Sequence, residues 1–466
     1  MKKHWKLMLS ALMLGTVFAL VACGDNGEPA QPAPTPVGQI DTTIPPERDL
    51  GGMEINIATW WVEEDTATAD PQSAAMVARW ADRAAMEDRY NFTMRYVRYG
   101  SWHDVRDNIS QELLAGNRDF QIWVMEGTWF ATHHSQNLFA PIPRENFEDD
   151  FGIEWITSIL DLTTRDGSPH GFAHEVGMAG GIYFNMRLFE EAGIERDLPF
   201  QLQAENNWTW DTFTDLARRL SVDRGEGAAE VWPITTFNSD FLMRALASNG
   251  ASYATVDPVT GNFVNNTNTI EFLETIQWVV SLRDEMLTMH EADVGGEWNV
   301  YRQMFNDGQG AMMSGGNYVA GARVNPSLVD DWGFVAFPRG PRMDYHHSWV
   351  NHNVNAIPHF YNPDEVSNIM FAMQRWIRPL EDDDPYDWIF ENLVNHSDPR
   401  SVEETMMYFT RNPSLQSMPA HSMMPGLGEI LGENFAWRVW SGNEPAVIVE
   451  EAQLVWNAFL DRVNAM

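Results

Sequence analysis

The chain has 466 residues, a formal net charge of −36, 44% hydrophobic and 12% aromatic residues, and one cysteine. That length allows about three domains, or two large ones, with a substantial core. With 30 Lys+Arg against 66 Asp+Glu, nothing could neutralise a phosphate backbone, so nucleic acid is excluded as a partner. A single cysteine excludes intramolecular disulfides, four-cysteine zinc sites and CxxC redox chemistry.

Lys2, Lys3 and Lys6 precede the apolar run Leu7–Ala19, the pattern of a signal peptide and too short for a permanent membrane span. The run ends in Leu20-Val21-Ala22-Cys23, which looks like the lipobox of bacterial lipoproteins. Residues 1–22 are therefore expected to be removed, with Cys23 receiving the lipid that ties the chain to the membrane. No later stretch approaches about 18 uninterrupted apolar residues, so no other span is expected. Residues 23–50 carry Pro29, Pro32, Pro34, Pro36, Pro45 and Pro46 and read as a flexible tether. The three amino-terminal lysines are the only ones in the chain, so their loss takes the charge from −36 to −39 and leaves arginine as the sole strong cation.

From about residue 51 the pattern becomes globular. Strands are predicted at Met53–Trp61, Phe92–Tyr99 and Phe120–Met125, alternating with helices at Ser73–Tyr90, Trp102–Leu114 and Thr128–Gln136. This order implies a mainly parallel sheet covered by helices on both faces, with ligands binding beyond the carboxyl ends of the strands. Trp60, Trp61, Glu126 and Trp129 fall at those exits. For any single tryptophan, core packing or plain surface is the commoner role.

Glycines around Gly177–Gly181 suggest a crossover into a second block. There, a strand at Ile182–Phe184, a helix at Met186–Ala192 stopped by Gly193, and a helix at Thr212–Leu220 with Thr209 as N-cap are predicted. Helices at Phe241–Ser248, Thr269–Met286 and Trp298–Asn306 follow, with strands at Gly310–Ser314 and Trp332–Phe337. The acidic run Glu381–Asp384 lacks the alternation of a calcium loop and reads as a solvated loop.

Catalytic signatures are missing from the sequence: no GxSxG elbow, HExxH, GxxxxGK[ST] or strand-to-helix GxGxxG occurs. His133-His134 and His346-His347 are adjacent pairs whose rings do not face one site on a helix. Among 66 acids, chance carboxylate pairs are expected and none is singled out. No catalytic residue, metal ligand or cofactor is assigned, and no enzyme is expected.

Four blocks, in this order and spacing, carry a resemblance. They are Gly181-Ile-Tyr-Phe-Asn-Met-Arg-Leu-Phe-Glu-Glu-Ala-Gly193, Trp208-Thr-Trp-Asp-Thr-Phe213, Phe305-Asn-Asp-Gly-Gln-Gly-Ala-Met-Met313 and Trp332-Gly-Phe-Val-Ala-Phe-Pro-Arg-Gly-Pro341. With the lipobox, they resemble the extracellular solute-binding proteins of family 1, lipoprotein receptors of bacterial ABC importers for sugars. The resemblance implies an α/β fold of two periplasmic-binding-protein-like lobes, each a mainly parallel sheet flanked by helices, closing about hinge crossovers. It places one lobe at 51–176 plus 343–410 and the other at 177–342 plus 411–466. As ligand readers it implies Trp123 and Glu126, Asn238 or Asp240, Tyr318, and Trp437 or Trp440. Met178 stands where maltodextrin-binding members have an acid, which puts that substrate in doubt.

The residues support a sugar independently. Flat aromatic rings cover the apolar face of a sugar while carboxylates and amides take its hydroxyls. Twenty tryptophans are present, and Trp60, Trp61, Trp129, Trp208, Trp232 and Trp349 lie at predicted strand exits or loops. The expected function is a lipid-anchored, monomeric extracytoplasmic receptor. It would bind a carbohydrate, as an oligosaccharide, and deliver it to ABC permease subunits. The alternative is a secreted lipoprotein glycoside hydrolase or another polysaccharide-acting enzyme.

Overall fold

The computed structural model describes residues 47–61, 74–148, 152–174, 180–221, 231–289, 299–320, 330–350, 352–380, 393, 395–428 and 430–466. The expected signal segment, Cys23, most of the expected tether, the expected crossover at 177–179 with Met178, Trp298 and the acidic run at 381–384 lie outside them. The amino-terminal elements are β1 (Met53–Thr59), α1 (Ala74–Tyr90), β2 (Phe92–Arg98), α2 (Trp102–Ala115), β3 (Ile122–Met125) and α3 (Gly127–Ser135). All six begin and end within two residues of the positions predicted from sequence. Then come β4 (Gly180–Asn185), α4 (Met186–Glu191), α5 (Trp210–Leu220), β5 (Trp232–Thr235), α6 (Asn238–Ser248) and α7 (Ile270–Asp284). The chain continues through α8 (Val300–Asn306), β6 (Gly310–Gly316), β7 (Trp332–Ala336), β8 (Ser348–Trp349), β9 (Val354–Ala356), α9 (Pro363–Ile377), β10 (Gln416–Ser417) and α10 (Pro445–Asn464).

The first sheet has the order β9-β3-β1-β2. β1 runs parallel to β2 from Met53↔Phe92 to Thr59↔Arg98, and parallel to β3 through Ala58↔Trp123. β9 closes the edge antiparallel to β3. Buried on both faces, β3 reads as the uninterrupted apolar run Ile-Trp-Val-Met. The helices between these strands start and stop on local chemistry. Ser101 and Asp104 form a capping box on α2, which ends at Gly116 in the left-handed region with φ 69°. α9 opens on an Asn362–Glu365 capping box with Pro363 at its first position.

The second sheet has the order β7-β4-β6-β5 and is mixed. β6 is parallel to β5 but antiparallel to β4, and β7 is antiparallel to β4. The expectation of a mainly parallel sheet therefore holds for the first sheet and not for this one. β4 is entered from the first sheet rather than through a helix of its own sheet, so no βαβ crossover fixes its direction. Around it lies a large core containing Phe184, Phe213, Phe241, Phe337 and Trp456. Thr209 caps α5 as the sequence indicated.

Residues 343–410 were expected to stay with the first sheet, and part of this stretch does not. β9 and α9 pack there, with the Arg83 guanidinium 3.6 Å over the Trp376 ring. Ser401 and Thr405 instead hydrogen-bond the backbone of Phe334 in β7, at 2.9 and 3.0 Å. β7 is an edge strand, and these side chains satisfy backbone groups that no further strand pairs. Between the sheets, β8 pairs in parallel with β10, and the Ser348 hydroxyl bonds both N and O of Gly180 at 3.0 Å. Among the described residues, no helix is long and apolar enough to cross a membrane.

Candidate functional site

Two groups of side chains sit where parallel strands end, one on each sheet. The first gathers at the exits of β1, β2 and β3. Trp60 follows β1, and its ring meets Trp61 at 4.8 Å and Trp129 at 5.5 Å, both edge to face. Trp129, on the first turn of α3, meets Trp102 of α2 at 4.8 Å. Trp102 donates its indole N–H to Oε1 of Glu126 at 2.9 Å. Glu126 stands at the N-cap of α3 yet makes no side-chain capping bond, so its carboxylate is committed outward to Trp102. Burial raises its pKa above the ordinary 4.5, opposed by the Trp102 hydrogen bond and the charge of Arg106. His133 steadies this turn, with one ring nitrogen 2.6 Å from the Trp129 carbonyl and the other 2.7 Å from the Ser110 hydroxyl.

The second group lies at the exits of β5 and β6, whose ends are tied by Thr236 Oγ1 and Ser314 Oγ at 2.5 Å. Asp240, on the first turn of α6, holds Arg244 one turn later through two bonds of 2.7 and 2.8 Å. Arg244 is buried, and its charge lies 5.6 Å from the Trp349 ring. Its Nη1 occupies the space that a Cβ on Gly180 would need, so any side chain there would displace the guanidinium. Arg302 donates to the Tyr301 hydroxyl at 2.7 Å and approaches the Tyr318 hydroxyl at 3.5 Å. Tyr318 remains 49% exposed, and Asn238 is buried at the start of α6.

The residues expected from sequence thus separate cleanly. Trp60, Trp61, Glu126 and Trp129 come together in the first group. Asp240 and Trp349 meet through Arg244 in the second, with Tyr318 linked to Arg302. Trp123 is a correction: it is 2% exposed and packs against Tyr99 and Phe120, because its place in β3 turns the ring into the core. Trp208 and Trp440 are likewise core residues. The Trp208 indole donates to the Ala336 carbonyl at 2.7 Å. Trp437 is 41% exposed on the helical turn Trp437–Trp440, with its ring against Gly432. Trp232 is partly buried at the start of β5 rather than at a strand exit.

Trp102, Arg244, Tyr301 and Arg302 were not singled out from sequence. Trp102 lies just past β2, so the strand-exit rule that found Trp60 would have found it. Arg244 stands four residues after Asp240, the spacing of a helical ion pair.

Edge-to-face indoles, one of them bonded to a carboxylate, offer apolar ring surface beside a hydrogen-bond acceptor. Two α/β sheets joined by short crossovers, each presenting its group beyond strand ends, define a two-lobe binding fold. Residues 75–357 match the bacterial extracellular solute-binding protein family, and the chain belongs to it. A substrate-binding protein from Listeria monocytogenes in complex with cycloalternan is 13% identical, with 88% of this chain and 99% of that chain covered and a TM-score of 0.61. The cyclic alpha-maltosyl-1,6-maltose binding protein of Arthrobacter globiformis is 15% identical, with 88% and 100% covered and a TM-score of 0.61. An open-conformation sugar transporter protein from Rhizobium etli is 13% identical, with 87% and 99% covered and a TM-score of 0.60. At such identities the likeness is one of fold. No curated protein matches the chain.

Proposed function

We propose that the chain is a lipid-anchored extracytoplasmic receptor that binds a carbohydrate between its two lobes and delivers it to an ABC permease. The observation that carries this reading is the first-sheet group, in which Trp60, Trp129 and Trp102 pack edge to face in series and Trp102 donates to the Glu126 carboxylate. The indole rings would cover the apolar face of a sugar, and Glu126 would accept from its hydroxyls. Across the cleft, Asp240, Arg244 and Tyr318 would take the polar edge. The sugars that the similar proteins bind support the same class. Cys23 would carry the lipid, residues 23–50 would tether the receptor, and it would work as a monomer. Its role is binding rather than catalysis, in keeping with the family.

In this reading the first lobe comprises residues 51–174 with 352–380, and the second comprises 180–342 with 395–412 and 425–466. Residues 343–351 and 413–424 would serve as connectors. A panel of mono- and oligosaccharides screened by thermal shift tests the function, since a ligand that binds only the folded state raises the melting temperature by mass action. A receptor returns its glycan intact. A panel that yields no shift, or yields cleaved glycan, contradicts the proposal.

A further inference from the structure

A cavity of about 460 Å³ lies between the second half of α6, the stretch 250–256, and the connector segments 343–349 and 419–421. Its volume falls within the roughly 300–1,000 Å³ typical of small-molecule pockets. The lining is mostly apolar, with Met243, Met343 and Pro419 on its walls. Ser252, Tyr253 and Thr255 also line it, as do three side chains with ring nitrogens: His347, Trp349 and His421.

Those three are under-satisfied. Both ring nitrogens of His421 are buried without a hydrogen-bond partner among the described residues, and the residue is 4% exposed. The Trp349 indole N–H and one nitrogen of His347 are in the same state. Buried donors and acceptors without partners are costly, and native proteins keep few of them. His421 also packs edge-on against Tyr253 at 5.2 Å, which holds its ring at the wall. A wall with an indole donor and imidazoles, but with no carboxylate or guanidinium among its lining residues, suits a neutral occupant.

We propose that this cavity is a second small-molecule site, taking an uncharged, largely apolar alcohol or ketone of one or two rings. The oxygen of the occupant accepts from the Trp349 indole and pairs with the His421 imidazole, while its hydrocarbon body packs on Met243 and Met343. The site shares Trp349 with the second-sheet group, but its occupant needs no solute in the cleft.

Camphor and borneol serve as probes, with camphorsulfonate as the charged control. Titrated into the intact protein by calorimetry, both neutral probes should bind saturably, and camphorsulfonate at least tenfold more weakly. Hydrogen exchange should slow at 343–349 and 419–421 when a probe is bound. Ala247→Phe and Ala420→Phe each fill the cavity from a different wall and should each weaken probe binding at least tenfold in protein that retains its melting transition. Absence of saturable binding by either neutral probe up to its solubility overturns the proposal. So does binding that persists in both filled variants, or a sulfonate that binds as tightly as the ketone. A sugar-binding result of either sign leaves these outcomes unchanged, so the two proposals fail separately.

Discussion

The Trp102 indole donates to Glu126 Oε1 across 2.9 Å and so ties the start of α2 to the start of α3 beneath the aromatic wall. One contact thereby fixes the orientation of a ring and the direction of a carboxylate. Glu126 lies in surroundings that raise its pKa above 4.5, chiefly through burial. A carboxyl whose folded pKa is raised destabilises the fold once ionised. The loss begins as pH rises past the unfolded value near 4.5 and is complete above the folded one. Glu126→Gln should therefore melt higher than the wild type at pH 7 and lose that advantage at pH 4, as differential scanning fluorimetry would read. It should also weaken carbohydrate binding by about 1.5–3 kcal/mol, the worth of a hydrogen bond to a charged group.

The tryptophans divide into two classes with opposite readouts. Trp60→Ala and Trp129→Ala should lower carbohydrate affinity by about 1 kcal/mol or more for each ring lost, and Trp129→Ala, whose ring is 8% exposed, should lower stability as well. Trp123→Ala and Trp440→Ala remove buried core rings and should cost about 3–5 kcal/mol of stability in urea unfolding. Equal affinity losses in both pairs, with equal stability, would contradict the division.

Removing one partner of a buried pair leaves a charge with no counterpart. Asp240→Ala strands Arg244, which is 4% exposed, and should destabilise the second lobe by about 3–5 kcal/mol. The double change Asp240→Leu with Arg244→Leu removes both charges and should recover most of that loss. Chemical denaturation of the three proteins at one pH decides the matter.

Burial also holds several histidines below their ordinary value of 6.5: His134 and His421 to about 3, and His346 to about 4. These groups stay neutral in the fold while the unfolded chain takes up protons. The stability they carry is thus fully present above pH 6.5 and falls as pH drops from there towards 3–4. The slope is about 1.4 kcal/mol per pH unit for each histidine involved. His421→Phe should make the decline between pH 6.5 and 4.5 shallower by one proton's worth. A slope unchanged from the wild type would count against a neutral buried His421.

Much of this was legible in the sequence, for reasons that are local. The Thr209 cap, the Gly193 stop and the strand exits at Trp60 and Trp129 depend on neighbours within a few residues, so pattern alone finds them. Which tryptophans are core is a property of the whole fold. Trp123 and Trp129 look alike along the chain, and both rings belong to one buried cluster, in which Trp129, 8% exposed at the start of a helix, also meets Trp60 and Trp102. The direction of β4 was equally hidden, since a short strand buried along its whole length pairs as well with either polarity. The Arg244 cradle over Gly180 joins residues 64 apart and left no mark in either segment.

The central claim is that the indole–carboxylate wall binds a carbohydrate without transforming it. Isothermal titration of the oligosaccharide giving the largest thermal shift, followed by mass spectrometry of the recovered ligand, tests it most directly. The account predicts one-to-one binding, an affinity reduced at least fivefold in Trp129→Ala, and a ligand of unchanged mass. Recovery of shortened glycan, or wild-type affinity in Trp129→Ala and Glu126→Gln together, would contradict it.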